Sequence, residues 1–424
     1  MDASHPCFLH PPVKGERPRE ARQGGIPLLF LISNLSFLIL LSACGKPAPP
    51  PEKPLQPAVA DTTTVIDTVA APVTSDIDSV WTELSEGLYL NTSASIDSAR
   101  LHDVLQRARD AGIDNICFDV KTMRGDVNIR LPQRDDLLPH RTQGLIDLAK
   151  LTETLHSYGM RASARLVMFH DTWLAAQRPD LRPFREPGVP WSESEERGPA
   201  WLDPSRPEVQ DDLLALIDIV AASGVDEVQM DYVRFPTQGA IDDAWFAFEW
   251  GDWMVLGKGG RLRTPDKSDV IAAFVKRARQ VCDSHGVELT ADVFAIVLWG
   301  RAVDIAQTGQ DLRKMTPWLH RVHPMIYSSH FAHDFGHRDD VPNEPYQIVF
   351  DGVRRCRELT DDRCRVIPYL QAMTWDVDYS PAYVIAQIQA TRAAGGDGYI
   401  FWSPASHYTN CLDWLRTYKQ HGAR

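Results

Sequence analysis

The sequence has no C-x-x-C pair among its seven cysteines, so a cysteine-built zinc site is not expected. Positive charge is in deficit. There are 44 Lys and Arg against 57 Asp and Glu, a net of −13. An acidic surface repels phosphate backbones, which excludes general nucleic-acid binding. Repeated membrane-length apolar runs are missing, and a mean hydropathy of −0.26 excludes a multi-span membrane protein. No G-x-G-x-x-G follows the first strand candidate, which argues against a doubly wound dinucleotide-binding sheet, the alternative α/β architecture. Hydrophobic residues are not scarce. At 44% of 424 residues, with 9% aromatic, they support an ordinary globular core.

The one notable apolar run is Leu28 to Leu41, preceded by Arg17, Arg19 and Arg22. It is short for a membrane span and fits the hydrophobic region of a signal peptide. It ends in Leu41-Ser42-Ala43-Cys44-Gly45, which resembles a bacterial lipobox. Residues 1–44 therefore read as a lipoprotein signal peptide, with Cys44 as the lipidated residue and the membrane reached through that lipid. An ordinary signal peptide with an incidental Cys is the competing reading. Residues 45–80 are rich in Pro, Thr, Ala and Asp and contain no aromatic residue. Such a stretch cannot bury a core and reads as a flexible tether. The folded part is expected over 81–424. Cys356 and Cys364, close together and outside the cytoplasm on this reading, are a candidate disulfide, and Cys117 reads as a buried small side chain.

From Trp81 onward, β-branched and aromatic runs alternate with helical periodicity. The strand candidates are 87–91, 115–122, 161–169, 227–233, 288–293, 322–327, 365–371 and 398–402. Helices over 145–158, 207–223, 270–285 and 382–394 each end at a glycine: Gly159, Gly224, Gly286 and Gly395. A further helix is expected over 98–111. Eight strands alternating with helices predict a parallel (β/α)8 barrel, the TIM barrel.

Strand parity then selects candidate residues. Ile116, Phe118 and Val120 share one face of their strand, and Cys117, Asp119 and Lys121 the other. Val228 and Met230 oppose Gln229 and Asp231, and Leu289, Ala291 and Val293 oppose Thr290 and Asp292. The polar face points into the barrel. Buried unpaired carboxylates are costly, so these acids belong near an open end. Each falls late in its strand, at the C-terminal end where barrel active sites are built.

Asp231 and Asp292 are the expected catalytic carboxylates, with Asp119 able to replace either. Arg234, three residues after Asp231, would hold that carboxylate ionised. Asp292, among apolar neighbours and beside a second negative charge, would keep its proton and act as the acid. Adjacent barrel strands lie about 4.7–4.9 Å apart, which permits the carboxylate spacings of glycosidases. Asp119 and Lys121 would form a salt bridge that positions substrate. Aromatic residues recur after the strands: Phe169, Trp173, Trp201, Trp299, Tyr327, Trp375 and Trp402. Placed around one rim, they suit the apolar faces of sugar rings, although they could equally roof the barrel. Arg165, Arg234, His330 and Gln371 complete the expected substrate-binding set. No cofactor and no metal are expected.

The run Met230-Asp-Tyr-Val-Arg-Phe-Pro236 resembles the hallmark of a bacterial glycosyl hydrolase domain family of unknown specificity. Phe118-Asp-Val-Lys121, Ala291-Asp-Val-Phe294, Pro324-Met-Ile-Tyr-Ser-Ser-His330, Tyr369-Leu-Gln-Ala372 and Gly398-Tyr-Ile-Phe-Trp-Ser-Pro404 are similar to the same family. The resemblance runs from about Trp81 to Trp414. It implies a TIM-barrel glycoside hydrolase, often secreted or lipid-anchored, acting on a polysaccharide or glycan at the cell envelope. Two rivals stand beside it. One is a barrel that binds glycan without cleaving it. The other is a metal-dependent hydrolase using His320, His323, His330, His333, His337 and Asp334. The stretches 126–141 and 251–263 are expected to be rim loops.

Overall fold

The computed structural model describes residues 65–66 and 85–422, except 195, 197, 252, 258 and 259. The signal-peptide and Cys44 readings, and all of the tether but Val65 and Ile66, lie outside the described residues.

Eight strands form the barrel. They are β1 Ser85–Leu90, β2 Asn115–Lys121, β3 Arg161–Val167, β4 Glu227–Asp231, β5 Glu288–Phe294, β6 Arg321–Ile326, β7 in two pieces (Arg365–Val366 and Tyr369–Gln371) and β8 Gly398–Trp402. β7 breaks around Pro368, which has no N–H to give a ladder. Every strand pairs in parallel with its sequence neighbours, and β8 pairs with β1, so the sheet closes on itself. At that closure Gly398 pairs with Ser85. Its φ is 142°, and a Cβ built there would lie 1.8 Å from the Ser85 carbonyl oxygen. Only glycine fits this position.

The outer helices are α1 Ser98–Asp110, α2 Leu148–Ser157, α3 Pro207–Ala221, α4 Lys267–His285, α5 Ala302–Thr308, α6 Pro345–Thr360, α7 Pro381–Ala393 and α8 Thr409–Gly422. Their starts follow cap chemistry more than apolar periodicity. α2 begins after Asp147, whose carboxylate accepts from the Lys150 N–H. α4 begins three residues before the expected Val270, because Asp266 and Asp269 form a reciprocal capping box. Gly286, at φ 67°, ends α4 in the left-handed conformation. The helical period does not single out α5, a helix of 7 residues.

The large core lies between the sheet and the helices. Leu88, Ile116, Phe118, Ala162, Ala164, Val228, Met230, Leu289 and Ala291 are all buried there. These are the apolar-parity residues, so the opposite parity fills the barrel. Inside, the two halves differ. Tyr89, Cys117, Tyr327, Ile367, Tyr369 and Ile400 make an apolar and aromatic wall. The wall from β2 to β6 carries the charges.

One register change revises a sequence expectation. β2 shifts against β3 between Asp119 and Lys121, so Asp119 pairs with Arg165 but Lys121 pairs with Leu166. The irregularity moves Lys121 off the face of Asp119. Its Nζ sits 2.9 Å from Asp171, both side chains buried, and donates to the Val167 carbonyl at 3.0 Å. The expected Asp119–Lys121 salt bridge does not form. The candidate disulfide is also absent, since Cys356 and Cys364 are both free, buried thiols. The expected rim loops carry short strands. Asp126–Val127 pairs with Arg141–Thr142 and extends the sheet from β2, and Met254–Leu256 pairs with Leu262–Arg263.

Candidate active site

Arg165 organises the C-terminal mouth of the barrel. Its guanidinium donates to Asp119 Oδ1, and its Nη2 and Nε reach Asp231 Oδ2 at 2.5 and 3.1 Å. The Nε also lies 3.9 Å from Asp292 Oδ2. Three carboxylates on β2, β4 and β5 thus converge on one cation from β3. Burial opposes the charge on Arg165, but Asp231 and Asp119 outweigh it and hold the group well above its ordinary value.

Each carboxylate has its own setting. Asp231 ends β4, and its Oδ1 accepts the Tyr232 backbone N–H at 2.6 Å. Tyr232 itself sits at φ 52°, a left-handed conformation that a bulky residue rarely adopts. Strain of this kind concentrates where a side chain must be aimed. Asp119 accepts the Tyr89 hydroxyl at 2.6 Å. Burial raises its carboxyl above the usual carboxylate range, against the pull of Arg165 and the Tyr89 hydrogen bond. Asp292 is 1% exposed. Burial first, and the negative charge of Asp231 second, push its carboxyl well above the ordinary value.

A polar network fixes Asp292 from below. Gln229 Nε2 donates to Asp292 Oδ1 at 2.6 Å and to the Tyr369 hydroxyl at 2.7 Å. That hydroxyl donates to Cys117 Sγ at 3.2 Å. The Ser163 hydroxyl lies 3.1 Å from Gln229 Oε1 and 2.7 Å from Glu227 Oε1, and its one proton can go to either. Gln310 Nε2 holds the Asp292 carbonyl at 3.1 Å. Ser163, Tyr369 and Gln310 were not expected as site residues, although parity places Ser163 on the inward face beside Arg165.

Arg234 is not the partner of Asp231. It lies 4.6 Å from the Trp201 ring centroid, 5.1 Å from Tyr232 and 4.2 Å from Phe294. Its Nη1 donates to the Phe235 carbonyl at 2.9 Å. The sequence spacing suggested the wrong arginine because the chain turns away after β4, carrying Arg234 into an aromatic box.

The aromatic residues divide into two groups. Trp402 stacks on Tyr327 with centroids 5.0 Å apart at 29°. Trp375 is 50% exposed and meets the His330 ring at 5.4 Å. These side chains stand at or just beyond the C-terminal ends of β6, β7 and β8. Gln371 accepts from the Ser329 hydroxyl at 2.9 Å and donates to the Met373 and Trp375 carbonyls, so it supports this loop. Trp201, by contrast, is buried against His170 and Tyr232 and is no open platform. Trp299 packs on Phe331 and Phe335.

The histidines scatter. His320 Nδ1 accepts the Leu289 N–H, His323 faces Glu227 inside the barrel, and His333 meets Asp340. Among the described residues no group of three or more His, Cys, Asp or Glu is arranged to hold a metal ion. A cavity of about 620 Å³ lies outside the barrel between α3 and α4, lined by Leu214, Val281 and the Arg134–Asp218 ion pair. It contains neither the three acids nor Tyr327, Trp375 and Trp402.

A closed (β/α)8 barrel with acids at its C-terminal mouth is the architecture of glycoside-hydrolase-like domains. The chain belongs to the family described as "Putative glycosyl hydrolase domain", whose model matches residues 87–408. Among solved structures it is similar to the PgaB (BpsB) glycoside hydrolase domain from Bordetella bronchiseptica, with a TM-score of 0.56 and 15% identity over 78% of this chain and 98% of that one. It is also similar to an endo-beta-1,4-mannanase from Thermotoga petrophila, with a TM-score of 0.49 and 10% identity over 82% and 78%. No curated protein matches the chain.

Proposed function

We propose that the protein hydrolyses O-glycosidic bonds of a glycan outside the cytoplasm. The observation that carries this reading is the convergence of Asp119, Asp231 and Asp292 on Arg165 at the barrel mouth, with two of the three carboxyls pushed up by burial.

Asp292 holds the proton. Its Oδ1 is occupied by Gln229, and no hydrogen bond reaches its Oδ2 among the described residues. The proton passes to the glycosidic oxygen as the bond from that oxygen to the anomeric carbon breaks. Asp231, oriented by Arg165 and the Tyr232 amide, meets the positive charge that develops on the sugar, as nucleophile or as electrostatic partner. Water then adds to the anomeric carbon and returns a proton to Asp292. Asp119, also pushed up and somewhat more exposed, is the second candidate donor. The sugar face rests on Trp402, which is backed by Tyr327.

A glycan panel tests the activity. On a substrate that the wild type cleaves, Asp231→Asn abolishes turnover and keeps binding. Asp292→Asn recovers in part on substrates with activated leaving groups, which need little protonation. Recovery in Asp119→Asn instead would make Asp119 the donor. Near wild-type turnover in all three variants would overturn the site. If the wild type binds glycan and cleaves none, the protein is a glycan-binding barrel.

The same proposal places the protein at a bacterial cell envelope, anchored by lipid on Cys44. The support is the apolar run followed by Leu-Ser-Ala-Cys. Cys44→Ala should release the protein from membranes or leave its precursor uncleaved. A wild type that takes up no acyl label would refute the anchor.

A further inference from the structure

Arg234 has an arrangement that the proposed chemistry does not use. It is 7% exposed, and no carboxylate of the described residues lies within ion-pair distance of it. Its Nε is buried without a hydrogen-bond partner, and so is the indole N–H of Trp201 against it. Burial pulls the guanidinium down to about 10, because the aromatic faces and the distant charges of Asp231 and Glu193 compensate it only in part. A buried cation left this way is costly, and two orphaned donors beside each other need an acceptor.

The box lies beside the acids. Tyr232 directly follows Asp231, and Phe294 ends β5 two residues beyond Asp292. Both rings are only partly buried, so the box reaches the surface between β4 and β5. Aromatic walls suit a sugar ring, and a guanidinium with an indole N–H suits an anionic group on that ring.

Building on the glycan-hydrolase reading, we propose that Arg234 and Trp201 form a subsite for an anionic substituent, so that the substrate is an acidic glycan. A uronic-acid carboxylate and a sulfate ester share the needed chemistry. Arg234 is then a specificity determinant: it meets the substituent of one sugar while Asp231 and Asp292 meet the bond.

Binding by the full chain in detergent micelles tests this without any turnover. The probes are a galacturonic-acid trisaccharide, its carboxyl-reduced neutral counterpart, and that neutral trisaccharide carrying a 6-sulfate, each titrated calorimetrically. At least one anionic probe should bind about tenfold or more tightly than the neutral one, the scale of one charge-assisted hydrogen bond. Which anion wins identifies the source. Arg234→Gln should erase the preference, and Arg234→Lys should keep part of it. Trp201→Phe retains the ring, loses the N–H and should weaken anion binding severalfold. If Arg234→Gln does not fold, Trp201→Phe and the salt dependence of the wild-type preference decide. Equal affinity for neutral and both anionic probes overturns the proposal, as does a preference that survives Arg234→Gln. Anion-selective binding without cleavage would sink the hydrolase reading and leave this subsite standing. Cleavage of neutral glycans without anion preference would do the reverse.

Discussion

The inside of the barrel holds two charged layers that use the same chemistry to opposite ends. The lower layer, at the strand N-termini, sets Arg161 and Arg321 against Glu227 and Glu288, with His323 added. Arg321 lies 2.9 Å from Glu288 and 3.7 Å from Glu227, and His323 lies 3.4 Å from Glu227. Ser163 and Thr290 donate to Glu227 at 2.7 and 3.0 Å. The upper layer sets Arg165 alone against Asp119, Asp231 and Asp292. Burial is nearly the same in both, but charge balance is not. Although burial works against its charge, His323 and the two arginines hold Glu227 well below its ordinary value, whereas Asp292 is held well above it. Where each buried acid has a basic partner, it is locked into a structural role. Where acids outnumber bases, burial and like charge push a carboxyl up, which is what the proposed acid needs.

The contrast breaks most sharply under substitution. Asp292→Asn should cut turnover on an unactivated substrate by about 10²–10⁴-fold, the usual worth of a positioned acid, without lowering the melting temperature, and Asp231→Asn should be at least as severe for turnover. Glu227→Ala should do the opposite. It leaves His323 without a carboxylate and two buried arginines, Arg161 and Arg321, sharing Glu288 alone, and should cost about 3–5 kcal/mol in denaturant unfolding, the penalty for breaking a buried pair. Loss of folding in Asp292→Asn, or an unchanged midpoint in Glu227→Ala, would erase the distinction between the layers.

Acid sharpens it further. The carboxyl of Asp292 is raised in the folded state, so folding at neutral pH must take up a proton that the unfolded chain does not carry, and that penalty disappears as pH falls below about 4, where the unfolded chain is protonated too. Asp292→Asn should therefore stabilise the protein at pH 7 and gain nothing at pH 3. Glu227 is depressed, so its contribution is present above its unfolded value of about 4.3 and is lost as pH falls. The deficit of Glu227→Gln should shrink on acidification. Melting curves across pH 3–8 check both directions.

The smallest effect belongs to the aromatic wall. Trp402→Ala removes a face stacked on Tyr327 and should weaken glycan affinity by about 1–3 kcal/mol, the scale of one large apolar side chain, while the acids keep their setting. If binding per folded molecule is unchanged, that wall is core and not platform.

Much of this is legible in the sequence. Alternating parity in β2, β4 and β5 separates the inward acids from the outward core, and glycines after the helices mark where strands resume. What parity could not supply was partnership. Arg165 and Asp231 meet across strands 66 positions apart, whereas Arg234 is near Asp231 only along the chain. The extra residue in β2 was equally invisible, and it sent Lys121 to Asp171. Trp201 reads like every other rim aromatic until its burial is known. Local periodicity reports which face a side chain occupies, and cross-strand register decides what it touches.

The closure at Gly398 also sets an order in time. A chain emerging from its N-terminus has β1 early but no partner for that strand's outer edge until residues near 398 arrive. Every incomplete barrel carries two open strand edges, the template for pairing with another chain. Closing them is a contact across more than three hundred residues, of the slow, non-local kind. A side chain at position 398 would leave the ring unable to shut. Such a variant should accumulate as an aggregation-prone open sheet, not as a slightly weakened barrel.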